Sequence, residues 1–381
     1  MPATLPSAQS SSLNPQKYNL GLPDGVLRIL SREFVVFCSS EGKRMKKKIL
    51  IALLSSLLFN VLVAQDPHFS QFYASPLTLN PALTGKIDGT FRLAVNYRNQ
   101  WPTINNAFTT ATASLDMPIL ANRLPEFDTW GVGVLGLSDQ SGNKILRNNF
   151  FGISTAYSKG LDENGYHQLA IGFQGVYTNK RLDVSMADFE DELTSLGFTG
   201  ITSEVFNNQN VNVNYFALNV GLLYTGTTNG YDNFYLGASL YHVNRPQEAF
   251  TGGKFYVQPR LTIQGGGYKP IGTDKTLHGS FIHQRQAGAS ETVLGGAVSF
   301  NLNGEEESPT ALYTGLWYRF NDALIPYLGL EVANFRFGFT YDLNSSSLRT
   351  ASNTRGGAEI SLIYVHKPGD PSLKKYNCPK F

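Results

Sequence analysis

Residues 335–343 read Phe335-Arg336-Phe337-Gly338-Phe339-Thr340-Tyr341-Asp342-Leu343, with aromatic or aliphatic groups at every odd position and Arg336, Gly338, Thr340 and Asp342 at the even ones. Successive side chains of a strand point to opposite faces, so this period of two predicts a strand with one broad apolar face and one charged face. The same division separates Phe91, Leu93, Val95 and Tyr97 from Arg92, Asn96 and Arg98. It also separates Phe216, Leu218, Val220, Leu222 and Tyr224 from Asn219 and Gly221. Recurring down an exported chain, the pattern predicts an all-β fold, a closed transmembrane antiparallel β-barrel whose alternate residues meet lipid.

Export is predicted by Met45-Lys-Lys-Lys-Ile-Leu-Ile-Ala-Leu-Leu-Ser-Ser-Leu-Leu-Phe-Asn-Val-Leu-Val-Ala64. A basic start is followed by an apolar stretch from Ile49 to Val63, shorter than the roughly 20 residues of a spanning helix, and by small Ala64 at a cleavage position. Residues 45–64 are therefore expected to be a signal peptide and Gln65 the mature amino terminus, where the absence of Cys argues against a lipoprotein. Residues 1–44 precede a signal that ordinarily begins a protein and are expected to be a mis-assigned upstream extension. On that division Cys38 is lost and Cys378 stands alone, so no internal disulfide can form.

Charge follows the same division. The first 64 residues hold 8 of the 31 Lys and Arg and 3 of the 29 acids, so the formal +2 of the whole sequence becomes −3 in the mature part. That balance lacks the basic footprint of a nucleic-acid binder, and no nucleic-acid partner is expected.

Strand-like segments are expected at residues 90–98, 108–115, 130–138, 150–158, 167–178, 213–225, 234–243, 255–268, 276–284, 292–302, 312–320, 324–331, 335–343 and 358–366. The resulting count of about fourteen is even, as bacterial outer-membrane barrels require. Pro259 and Pro326 sit awkwardly inside two segments. With both termini periplasmic, the long gaps 179–212, 244–254 and 344–357 fall outside and the short gaps 160–166, 226–233 and 270–275 inside; the connection 117–129 is too long for a simple periplasmic turn. The domain plan is thus a periplasmic amino-terminal segment 65–87, an outer-membrane barrel 88–366 and a periplasmic tail 367–381. Arg355, Gly357, Ile360 and Leu362 have the spacing of a barrel-assembly signal in the last strand.

Motifs for chemistry are weak. Gly131-Val-Gly133-Val-Leu-Gly136 has the dinucleotide-binding spacing, but it lies inside a strand where that function needs a helix opening at the phosphates. Glycines that let an inserted loop or bulky neighbour approach the wall fit better. His278 and His283 fall on opposite faces of one strand, with no Cys or acidic partner at metal spacing. Asp188, Glu190, Asp191 and Glu192 form an acidic knot without calcium-loop spacing, and Glu305 to Glu307 reads as a solvated turn. No Gly-x-Ser-x-Gly element is present, so no enzyme, cofactor or metal is expected.

The mature start Gln65-Asp-Pro-His-Phe-Ser-Gln-Phe-Tyr-Ala-Ser-Pro-Leu-Thr-Leu-Asn-Pro-Ala-Leu-Thr-Gly85 resembles the opening of the PorP/SprF family of the Bacteroidota. Tyr97-Arg98-Asn-Gln-Trp101-Pro102 and the ending Cys378-Pro379-Lys380-Phe381 are similar to the same family. The resemblance implies an outer-membrane barrel of the type IX secretion system, non-enzymatic, whose partners are secretion components or a large secreted adhesin used in gliding. On that resemblance Phe69, Phe72 and Tyr73 are candidate partner-contact rings, with Asn80 and Pro81 fixing the turn into the first strand. The rings could equally fold back and plug the barrel mouth. Arg92, Arg98, Arg319, Arg336, Asp342 and Glu359 are expected to face the lumen, which suits a closed secretion barrel or an outer-membrane porin or fatty-acid-transporter-like uptake channel.

Overall fold

Alternation continues without a break through fourteen segments, and a sheet with that many two-faced strands removes its edges by closing. In the computed structural model this is what the chain does. The structure describes residues 65–367 except 105, 106, 122, 188, 196, 204–209, 249–253 and 305–309. The upstream extension, the signal stretch, both cysteines, Asp188, Glu305 to Glu307 and most of the tail lie outside the described residues.

The barrel strands are β1 (Phe91–Gln100), β2 (Phe108–Ile119), β3 (Thr129–Ser141), β4 (Leu146–Gly160), β5 (His167–Asp183), β6 (Asn210–Gly226), β7 (Asn233–Tyr241), β8 (Arg260–Ile271), β9 (Lys275–Gln286), β10 (Ala289–Asn301), β11 (Thr310–Arg319), β12 (Ala323–Val332), β13 (Phe335–Asn344) and β14 (Arg355–His366). Each is antiparallel to its sequence neighbours, and β1 closes on β14 from Phe91 opposite His366 to Gln100 opposite Gly357. Among the described residues no helix is long and apolar enough to cross a membrane. The outward rows match the expected lipid face: Phe335, Phe337, Phe339 and Leu343 are exposed while Gly338, Thr340 and Asp342 are buried inside.

An up-and-down barrel has two rims. The near rim holds the start of β1, the end of β14 and the strand ends joined by the β2–β3, β4–β5, β6–β7, β8–β9, β10–β11 and β12–β13 connections. The far rim holds the other strand ends, among them those of β5 and β6 and those of β7 and β8. The wall is uneven: β5 and β6 run 17 residues each, β11, β12 and β13 only 10. On the raised side the outward row changes from Tyr177 to Asn179 and Arg181, so its top stands clear of the apolar band.

Both awkward prolines have a physical resolution. The segment expected at 255–268 begins later, at Arg260, because Pro259 has no N–H for the ladder. Phe255–Tyr256 instead pairs with Gln247–Glu248 in a separate two-stranded sheet. Pro326 stays within β12 on its outward face, and the β12–β13 ladder skips Ile325 and Pro326. The anomalous connection 120–128 is folded onto the next near-rim turn: Asp128 accepts from Gly160 N at 2.9 Å and Tyr157 Oη at 2.5 Å.

Candidate functional site: a lumen filled by residues 65–87

Residues 65–87 carry no strand period, and Pro67, Pro76 and Pro81 break any longer helix. They fold as three tight turns: Phe72–Ala74, Pro76–Leu79 and Pro81–Leu83. Asn80 caps the last by accepting from Ala82 N at 2.9 Å, and Thr84 closes it by donating to Pro81 O at 2.7 Å. Isolated, such turns are too short to persist. The barrel wall holds them.

The segment crosses the barrel from rim to rim. Asp66 lies at the far rim, where its N–H donates to Gln286 Oε1 at 2.8 Å and its carboxylate meets His242 Nε2 at 2.8 Å. Burial works against charge on Asp66, yet His242 and Arg260 hold its carboxyl well below the usual carboxylate range. At the near rim Gly85 N donates to Asp116 Oδ2 at 2.8 Å, and Lys86 Nζ to Gln168 Oε1 at 2.6 Å. Between these ends Leu77 O accepts from Gln174 at 3.0 Å, and Leu79 O from Ser239 at 2.9 Å.

Two anchorages dominate. The first is ionic. Ser70 N and Gln71 N donate to the two Glu359 oxygens at 2.7 and 2.9 Å, and Ser70 Oγ donates to Asp342 Oδ1 at 2.8 Å. Asp342 is in turn bound by Arg98 at 3.0 Å and Arg319 at 2.9 Å. Arg98 also donates to His68 O at 2.7 Å, while His68 and Arg319 meet Glu291 at 2.9 and 3.2 Å. Asn96 completes the group by donating to Glu359 Oε1 at 2.9 Å.

The second anchorage is steric. Asn80, fully buried, donates to Leu222 O at 2.9 Å from a notch where a Cβ on Gly221 would overlap its Oδ1. A Cβ on Gly172 would strike the Pro81 carbonyl and Ala82 N. Gly131 and Gly133 of the dinucleotide-like run serve the same purpose, giving way to Thr84 and Leu77. Phe72, Leu79, Ala82 and Leu83 join wall residues including Leu223, Ile282, Trp317 and Ile325 in the main apolar cluster. Each large apolar side chain buried there is worth about 1.5–3 kcal/mol against exposure to water.

The candidate contact rings therefore lie within the barrel. Phe69, Phe72, Asn80 and Pro81 are buried, and Tyr73, half-buried, packs its ring at a tilt against Trp317 and edge-on to Tyr327. Segment 65–87, expected in the periplasm, occupies the lumen instead, because only there do its unpaired turn amides and carbonyls find partners. The six candidate lumen charges all sit on the inner face. Arg98, Arg319, Asp342 and Glu359 converge on the segment; Arg92 makes a bidentate pair with Asp116, at 3.0 and 2.7 Å, and donates to Leu83 O at 3.1 Å. Arg336 is spent on the wall, pairing with Glu331 at 2.9 Å across the β12–β13 hairpin.

Several anchor residues escape a pattern-based search. Asp116 lies directly opposite Arg92 but one residue beyond the expected end of its strand at 115. Glu291 precedes its expected strand, and Ser70 and Gln71 sit in an aperiodic stretch. Parity extended by two residues at each strand end finds the two acids; nothing local finds the serine and glutamine.

The remaining motifs are structural in their contacts. His278 bonds Ser299 at 3.1 Å inside, and His283 bonds Thr292 at 2.8 Å outside. Asp191 ties its own loop, accepting from Ser203 N at 2.6 Å and Thr202 Oγ1 at 2.9 Å. Among the described residues no group of three His, Cys, Asp or Glu is placed to hold a metal ion. Space remains at the near rim as a cavity of about 240 Å³ whose lining includes Lys86, Asp88, Arg92, Tyr268, Glu331 and Arg336. An apolar pocket of about 50 Å³ at the far rim lies beside Pro67, Leu135, Phe150 and Tyr241.

Fold and site together define a fourteen-stranded membrane β-barrel plugged by its own residues 65–87. The chain belongs to the family described as type IX secretion system membrane protein PorP/SprF, which it matches over residues 61–364. No curated protein matches the sequence. Similar solved structures include a Pseudomonas aeruginosa FadL homologue (10% identity, 75% of this chain and 92% of that one, TM-score 0.42). Another is the Pseudomonas putida toluene transporter TodX (9% identity, 78% and 93%, TM-score 0.44). A third is CdiB from Acinetobacter baumannii (9% identity, 73% and 60%, TM-score 0.34). Likeness at these scores carries nothing about what the present chain does.

Proposed function

We propose that this protein is a non-enzymatic outer-membrane barrel of the type IX secretion system that docks secretion machinery or a specific exported partner, such as a gliding adhesin, rather than conducting solutes. The observation that carries this reading is the filled lumen. A porin keeps a water-filled channel, whereas here the inward charges are paired with one another or bound to residues 65–87. Docking then belongs to the rims and to the outer wall. Strand parity and the longer far-rim loops favour a periplasmic near rim and an external far rim. The end of β14 lies at the near rim, and the sequence that follows it, 367–381, is the candidate for meeting periplasmic machinery.

Deleting the gene is expected to abolish surface display of one or more type IX cargo proteins while small-solute uptake continues. Normal cargo display with lost solute permeability would replace this function with that of an uptake channel.

A further inference from the structure

Residues 65–87 enter the lumen at one rim and leave it at the other. Asp66 is bonded to His242, directly after β7, and to Gln286, the last residue of β9; both positions are on the far rim. Twenty residues later Lys86 is bonded to Gln168 near the start of β5, and Thr90 N donates to His366 O at 2.8 Å, both on the near rim. The path is pinned along its length, with Ser70 on Asp342 high on β13 and Asn80 on the Leu222 carbonyl low on β6. A chain of this length can span on the order of 70 Å when extended, well above the roughly 25 Å apolar band of such barrels, so the crossing costs no stretch.

We infer that Gln65 opens on the external side of the membrane, whereas Asp88, only twenty-three positions on, opens on the periplasmic side. The near-rim ends of β1 and β14 are then not the whole account of where the chain's ends lie: the mature amino terminus is a surface group at the far mouth, beside Asp66, His242 and Arg260. This rests on the orientation given under Proposed function and on the expected cleavage after Ala64. It adds that a partner on the cell surface reaches the plug directly at its amino end.

Cysteine labelling in intact cells tests it, in a background with both native cysteines, Cys38 and Cys378, changed to Ser. A single Cys inserted between Gln65 and Asp66, which keeps Gln65 next to Ala64, Ser195→Cys in the far-rim loop and Asp88→Cys at the near rim are treated with a membrane-impermeant maleimide before and after outer-membrane permeabilisation. Gln65, Ser195 and Asp88 are all exposed positions, so the changes leave the packing alone. The inserted Cys and Ser195→Cys are expected to label fully in intact cells, and Asp88→Cys only after permeabilisation. Labelling of Ser195→Cys but not of the inserted Cys in intact cells overturns the crossing and leaves the orientation standing. Labelling of Asp88→Cys but not Ser195→Cys overturns the orientation, and the outward amino terminus with it.

Discussion

The plug is held by two unlike regions, and their difference shows what each tolerates. At Ser70 and Gln71 the hold is electrostatic: buried Glu359, Asp342, Arg98 and Arg319 and half-buried Glu291 form one charged group across five strands, with His68 of the segment on Glu291. At Asn80 to Leu83 the hold is shape, a neutral turn pressed against Gly172 and Gly221 and bonded to a wall carbonyl. Buried charge pairs add little net stability when complete but cost much when one member is lost, since the survivor is left in a low-dielectric site. A steric socket fails in the opposite way, by gaining atoms.

The largest expected effect is therefore Asp342→Ala, which takes from Arg98 its ion-pair partner and from Arg319 one of three, and should cost about 3–5 kcal/mol. Urea unfolding in detergent measures the loss, and protease access to residues 65–87 reports whether the plug leaves first. A loss under about 1 kcal/mol would show that the ionic region is not the stronger hold.

Outside both regions, Phe337→Arg on the lipid face should cost about 2–4 kcal/mol near mid-membrane. Thr340→Ser, three positions on and facing in, should be mild. Equal losses in a vesicle refolding assay would reverse the assigned facing of β13.

In the socket, Gly221→Val should cost about 1–3 kcal/mol by overpacking and push Asn80 from its notch. The companion Asn80→Gly relieves the clash, so the double variant should recover part of the loss. Simple additivity of the two would mean the notch is not what Gly221 provides.

Acid acts most weakly, through the far-rim end. Asp66 has its folded value depressed, so its contribution is complete above the unfolded carboxylate value of about 4 and is lost as pH falls from there toward the folded value. Amino-end protease access should rise over that interval, and Asp66→Asn should flatten the rise. An unchanged profile in Asp66→Asn would remove Asp66 from the hold.

Alternation at Phe91 to Arg98, Phe216 to Tyr224 and Phe335 to Leu343 was enough to place all fourteen strands and to choose their inner faces, because side-chain direction in a strand is fixed by position alone. Closure followed, since two-faced strands in lipid cannot leave an edge unpaired. Local sequence also marked Pro259 and Pro326 as faults and the Gly131 run as a place for close approach. It could not say what approaches. Residues 65–87 have no period, and their turns become stable only through partners as far away as Glu359, 288 positions along the chain from Gln71. Whether Phe69 and Phe72 meet a partner protein or the lumen, and whether Arg98 lines water or grips Asp342, depended on strands brought side by side by barrel closure. Those long-range pairings carry no local signature, so only the tertiary structure decided them.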